Sequence, residues 1–215
     1  MTSLPPPPIA TDLLRNPLSS AAAQLTVDTA VRERAMAYPA RIALVQDDRR
    51  ISYGELQSRV DRLCHALDRM GVGRGDRIAV LSENRREFVE TLLAAAALGA
   101  IVACQNWRQT DAELDHCLRL VEPKLVLASP RYAPRLDQIA HGAREVLAFG
   151  AEYERLLARE DGLPFASRSM PEDILIILYT SGTTGYPKGA AISHRAEIAR
   201  SRTAVSTVSC AATLD

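Results

Sequence analysis

The chain has 215 residues, 47% hydrophobic and 24% charged, with 26 Lys plus Arg set against 26 Asp plus Glu. This composition excludes a wholly disordered chain, a collagen-like repeat and a disulfide miniprotein, and it supplies core for one to two domains. Net charge is zero, so nucleic acid is not expected as a main partner, because binding a phosphate backbone needs clustered cations.

Residues 1–24 form a proline-rich arm, in which Pro5 to Pro8 favour an extended, solvated chain. No basic stretch precedes an apolar one there, so no export signal is expected. The longest apolar run, residues 92–104, is shorter than the ~20 residues of a transmembrane helix, and Gly99 divides it. Cys64, Cys104, Cys117 and Cys210 show no C-x-x-C spacing. Neither Cys64-His65 nor His116-Cys117 makes a metal clamp, since helix neighbours do not share a face. A cytoplasmic chain without a metal site of its own is expected.

Residues 41–52 read as a hairpin, with Ile42, Leu44 and Ile51 in the strands and Asp47-Asp48 with Arg49-Arg50 in the turn. Ser52 and Glu55 have the spacing of a capping box. Leu56, Val60, Leu63, Leu67 and Met70 then recur at helical spacing, and Gly71 closes that helix. A strand follows at 77–82, a buried helix at 88–98 and a strand at 101–104. Thr110 and Glu113 make a second capping box ahead of Leu114, Leu118 and Val121. Further elements are a strand at 124–128, a helix at 134–140, a strand at 145–149 and a helix at 152–159. Arg49-Arg50 and Arg85-Arg86 are expected as solvated surface charges.

This alternation predicts an α/β fold, with a largely parallel sheet covered by helices on both faces. Ligands of such sheets bind beyond the carboxyl ends of the strands. Residues 25–162 are expected as one α/β subdomain. The proline-containing loop at 161–171 leads into a second, expected over 163–215.

The chemistry is concentrated in residues 174–194, ILIILYTSGTTGYPKGAAISH. The apolar run 174–179 predicts a buried strand that stops at Thr180. Gly182, Gly185 and Gly189 let backbone N–H groups approach a ligand, and successive N–H groups form an anion nest. Thr180, Ser181, Thr183 and Thr184 add four hydroxyls, and Lys188 adds a compact positive charge. The inventory suits a polyphosphate. Lysine is rare here: Lys124 and Lys188 are the only two, the other cations being arginines. The spacing is not that of G-x-x-x-x-G-K-[ST], which disfavours a P-loop NTPase. A second strand is expected at 190–193 and a helix at 194–204. His194 is expected in a structural or capping role, and Trp107 in packing against a neighbouring helix.

The string Thr180 to Gly189 resembles the signature loop of the adenylate-forming enzymes, a group that includes acyl-CoA synthetases. Ser52-Tyr53-Gly54-Glu55-Leu56, Gly71-Val72-Gly73, Gly75-Asp76-Arg77, Glu83-Asn84 and Glu87-Phe88 resemble the N-terminal region of that family in the same order. Asn106-Trp107-Arg108 with Glu113-Leu114 is similar to its acyl-CoA synthetase branch. The resemblance implies ATP-dependent activation of a carboxylic acid to an acyl-adenylate, followed by thioester formation with coenzyme A. It implies that Thr180, Ser181, Gly182, Thr183, Thr184, Gly185 and Lys188 hold the β- and γ-phosphates, with Mg²⁺ sharing the charge. It further implies that this chain is the N-terminal part of a longer enzyme and inactive alone, the family's catalytic Lys lying beyond residue 215. The alternative is a non-catalytic nucleotide-binding or interaction module of the same descent.

Overall fold

The computed structural model describes residues 24–139, 142–143, 145–180 and 186–201. The expected N-terminal arm falls outside these, up to residue 23. In chain order the elements are α1 (Val27–Ala37), the hairpin β1 (Ile42–Gln46) and β2 (Arg49–Ser52), and α2 (Tyr53–Arg69). Then come β3 (Arg77–Leu81), α3 (Arg86–Leu98), β4 (Ile101–Gln105) and α4 (Asp111–Val121). They are followed by β5 (Leu125–Ala128), α5 (Ala133–Leu136), β6 (Glu145–Ala148) and α6 (Ala151–Ala158). The last are β7 (Ile174–Thr180), β8 (Lys188–Ser193) and a helix, α7, over residues 194–201. The remainder of the helix expected to residue 204 lies outside the described residues.

Local sequence accounts for most of these boundaries. The Ser52 hydroxyl accepts the Glu55 N–H at 3.1 Å, but Glu55 turns away to pair with Arg49, so only half of the expected capping box forms. At the other end of α2, Val72 N–H bonds Leu67 C=O and Gly71 N–H bonds Asp68 C=O, both at 2.9 Å. This is a Schellman stop, and it needs the positive φ of 79° that Gly71 adopts without strain. The Thr110–Glu113 box is complete. The hairpin turn is tighter than expected, since Arg49 and Arg50 are strand residues paired with Gln46 and Val45. The helix expected at 134–140 is a single turn. Beyond Leu136 the bonds run Gln138 to Arg135 and Ile139 to Leu136, three residues back instead of four, so the α-helical ladder is not continued.

Six strands form one sheet in the order β6-β5-β3-β4-β7-β8. The first five are parallel and β8 runs antiparallel to β7. Side chains alternate across the sheet as strand geometry demands. Ile78 and Val80 of β3 and Leu125 and Leu127 of β5 pack in one layer with α2, α3 and α6. Ala79 and Leu81, with Val126 and Ala128, pack in the other against α4 and α5. The expected parallel sheet with helices on both faces is therefore present.

β7, which follows the loop at 161–171, joins the same sheet as β3 to β6. β7 pairs in parallel with β4 through Val102–Ile176, Ala103–Ile177 and Cys104–Leu178. The linking residues are tied down on the way: Phe165 N–H donates to Asp61 Oδ1 at 3.1 Å, and Arg168 grips Asp68 at 2.6 and 2.9 Å. The fully buried strand expected at 174–179 is also corrected. Leu175 is buried, but Leu178 is 40% exposed, because β7 lies one strand from the sheet edge and β8 is largely exposed.

A buried charge cluster joins the helices of the first layer. Arg59 bonds Glu90 at 2.7 and 3.1 Å and Glu154 at 2.8 and 3.0 Å. Tyr153 Oη donates to Glu90 at 2.8 Å, and Arg86 Nη2 bonds Glu154 at 2.7 Å. Arg85 pairs with the buried Glu87 at 3.1 Å. Arg85 and Arg86 are thus not free surface charges as expected, since the first turn of α3 is packed against its neighbours. Burial opposes the charge of Arg59, yet the bonds to Glu154 and Glu90 hold its pKa above the ordinary arginine value.

Candidate functional site

Two loops meet at the carboxyl ends of adjacent strands. In parallel sheets ligands bind beyond the carboxyl ends of the strands, and here β4 and β7 are parallel neighbours. Residues 106–110 follow β4, and residues 181–187 follow β7. Of the seven expected phosphate-binding residues, the structure places Thr180 and Lys188; Ser181, Gly182, Thr183, Thr184 and Gly185 lie outside the described residues. Thr180 and Lys188 are the last registered pair of the β7–β8 ladder, so the two ends of the loop are clamped together. Both are exposed.

The clamp is built from side chains behind it. Tyr179, immediately before the loop, receives an N–H from Gln105 of β4 at 3.2 Å and donates to the Cys117 carbonyl of α4 at 3.1 Å. Burial pushes its phenol up to about 12, so it stays a donor at any physiological pH. Gly189, opposite Tyr179, sits close to β7: a Cβ there would lie 3.0 Å from Ile177 Cγ2, so a side chain would require Ile177 to shift. Tyr186 stacks on His116 of α4, with ring centroids 4.7 Å apart. Pro187, next along the chain, is buried.

The facing wall is the β4–α4 loop. Arg135 braces it by donating to the Trp107 and Gln109 carbonyls at 3.0 and 2.8 Å, and it pairs with Asp111 at 2.6 Å. Trp107 stacks on Tyr132 at 5.6 Å, next to α5, in keeping with the packing role expected for it. Between the walls lies a cleft of about 180 Å³ lined by Asn106, Arg108, Gln109, Glu113, Thr180 and Pro187. The sequence joined Asn106-Trp107-Arg108 to a family pattern but gave no sign that these residues face the loop. The contact depends on β4 and β7 being neighbours, which no local signal encodes.

His194 closes the other end of β8. It is fully buried, and its Nδ1 accepts the Val27 N–H at 3.1 Å, capping the first turn of α1. Its own N–H donates to the Asp173 carbonyl at 3.1 Å. A neutral ring is required, because a protonated Nδ1 cannot accept. Burial lowers the His194 pKa, with Asp28 and Asp173 partly opposing the shift. The unfolded imidazole titrates near 6.5, so the unfolded chain binds the extra proton first as pH falls. Stability is therefore expected to decline below about pH 6.5, by at most about 1.4 kcal/mol per pH unit from this group. Urea midpoints between pH 7.5 and 5.5 test this: the slope should flatten in His194→Gln, and identical slopes would contradict it.

Among the described residues no group of three or more His, Cys, Asp or Glu could hold a metal ion, and Cys64, Cys104 and Cys117 are free thiols. Also among them, no helix is long and apolar enough to cross a membrane.

Residues 31–213 match the family described as AMP-binding enzyme. The chain is 36% identical over 167 residues to an indoleacetate–CoA ligase of Aromatoleum aromaticum, covering 74% of this chain and 33% of that protein. It is 34% identical over 161 residues to a feruloyl-CoA synthase of an Amycolatopsis species, covering 75% of this chain and 32% of that one. Among solved structures, the N-terminal domain of FACL13 from Mycobacterium tuberculosis superposes with a TM-score of 0.73 at 28% identity, covering 79% of this chain and 44% of that one. The chain thus spans about a third of the length of the curated relatives it matches.

Proposed function

The chain belongs to the AMP-binding enzyme family, and from that premise we propose that the polypeptide carrying it is an acid–thiol ligase of the acyl-CoA synthetase type. In the first step a carboxylate oxygen attacks the α-phosphorus of ATP and pyrophosphate leaves, giving an acyl-adenylate. In the second, the thiol sulfur of coenzyme A attacks the acyl carbon and AMP leaves. The observation that carries this reading is the pairing of Thr180 with Lys188 across the base of the loop, at the carboxyl edge of the sheet.

Within that reading, Lys188 and the donors of Thr180, Ser181, Gly182, Thr183, Thr184 and Gly185 hold the β- and γ-phosphates. Their task is to position and neutralise a leaving group, with pre-placed charge supplying most of the effect. Mg²⁺, when bound with the nucleotide, would share the phosphate charge. The free thiols suit a reducing, cytoplasmic setting.

The test is acid-dependent exchange of labelled pyrophosphate into ATP by the native polypeptide, across a panel of aryl, fatty and small branched acids. Exchange that appears only with a fitting acid is expected. MgATP binding with no exchange under any acid would overturn the ligase reading in favour of a binding module.

A further inference from the structure

We propose that Arg108 is a second anion-binding group of this site, engaging the terminal phosphates of the nucleotide or the released pyrophosphate from the β4–α4 loop. The inference rests on the nucleotide reading above and adds a residue to it. Three observations carry it.

The first is a guanidinium without a carboxylate. On the neighbouring surface Arg135 is committed to Asp111 and Arg119 to Asp115. Arg108 has no such partner among the described residues. Its guanidinium carbon sits 3.9 Å from the centroid of the Trp107 ring. Stacking uses the flat face of a guanidinium and leaves the N–H donors around its edge free. Those donors match phosphate oxygens two at a time.

The second is position. Arg108 lines the same cleft as Thr180 and Pro187, which open and close the phosphate loop in sequence. The cleft of about 180 Å³ has room for a small polyoxyanion. Asn106 adds an amide donor to its wall, while the Gln109 amide nitrogen donates to Cys117 Sγ at 3.3 Å. Glu113 is the one carboxylate there, and it is already engaged by the Thr110 N–H and hydroxyl at 2.8 and 2.9 Å. Those bonds hold its pKa below the usual carboxylate range, so its charge is fixed and its best acceptor oxygen is occupied.

The third is rigidity. A surface arginine ordinarily loses much side-chain freedom on binding, which weakens the contact. Arg108 is pre-placed by its stack on Trp107, which is itself held against Tyr132 and braced through its carbonyl by Arg135. The Arg108 N–H also bonds Asn106 Oδ1 at 3.0 Å, fixing the backbone turn that presents it.

The experiment titrates inorganic pyrophosphate and, separately, MgATP into the full chain by calorimetry. Trp107, the only tryptophan, reports the location of binding through its emission. Pyrophosphate should bind and perturb Trp107. Arg108→Gln should weaken pyrophosphate binding about tenfold to a hundredfold, with Arg108→Lys in between because it keeps the charge but loses the fork. Far-ultraviolet circular dichroism checks that each variant is folded. Arg108→Gln binding pyrophosphate as the wild type does, while Lys188→Ala loses it, would overturn this inference and leave the nucleotide reading standing. A wild-type chain that binds neither probe would overturn both.

Discussion

Arg59→Met is expected to lower the unfolding free energy by about 3–5 kcal/mol, because it strands a buried carboxylate. Glu90 has no side-chain exposure, and two of its bonds come from the Arg59 guanidinium. Removing the cation leaves Glu90 with the Tyr153 hydroxyl alone, in surroundings built from the apolar faces of α2, α3 and α6. Glu154 is 40% exposed and keeps its bond to Arg86, so it loses little. The pair Arg59→Met with Glu90→Gln removes both charges, retains an acceptor for Tyr153, and should recover most of the loss. Urea unfolding of the wild type, Arg59→Met, Glu90→Gln and the pair checks this through a double-mutant cycle. Additive losses would show that Arg59 stabilises by packing its stem and not by neutralising Glu90.

Lys188→Ala should reduce acid-dependent pyrophosphate exchange by about 10² to 10³-fold, the usual consequence of deleting one pre-placed group at a centre of developing charge. Stability should barely change. Lys188 is exposed, and its main chain pairs with Thr180 whatever the side chain. Lys188→Arg should restore part of the rate, because it returns the charge without the compact ammonium that fits a crowded loop. Unchanged exchange in the alanine variant would remove Lys188 from the mechanism.

The layer structure was legible in the sequence because strand and helix periods are local. Leu56 to Leu67 marks the buried face of α2, and Ile78 with Val80 against Ala79 with Leu81 shows a strand covered on both sides. The loop at 180–189 stood out through the resemblance of its whole string to the family's signature, because its composition alone fits an inert turn as well. What stayed hidden depends on contacts distant in sequence. Glu90 lies in a helix rich in Leu and Ala, and its partners Arg59 and Tyr153 are 31 and 63 residues away. Arg86 read as surface because its acceptor, Glu154, is equally remote. The run from Ile174 to Tyr179 looked fully buried because a strand beside the sheet edge and a central strand share the same apolar pattern. α1 escaped notice because its buried face is narrow, Asp28 and Ala35, and its local capping box pairs Thr26 with Thr29 in place of Glu or Gln, while His194 adds a cap from across the fold.

In the proposed function the loop beyond β7 holds the polyphosphate of ATP. The most direct measurement is calorimetric titration of MgATP into the chain, wild type against Thr183→Val combined with Lys188→Ala. Saturable one-to-one binding that falls at least about tenfold in the double variant is the predicted result. Binding that survives both substitutions would contradict it.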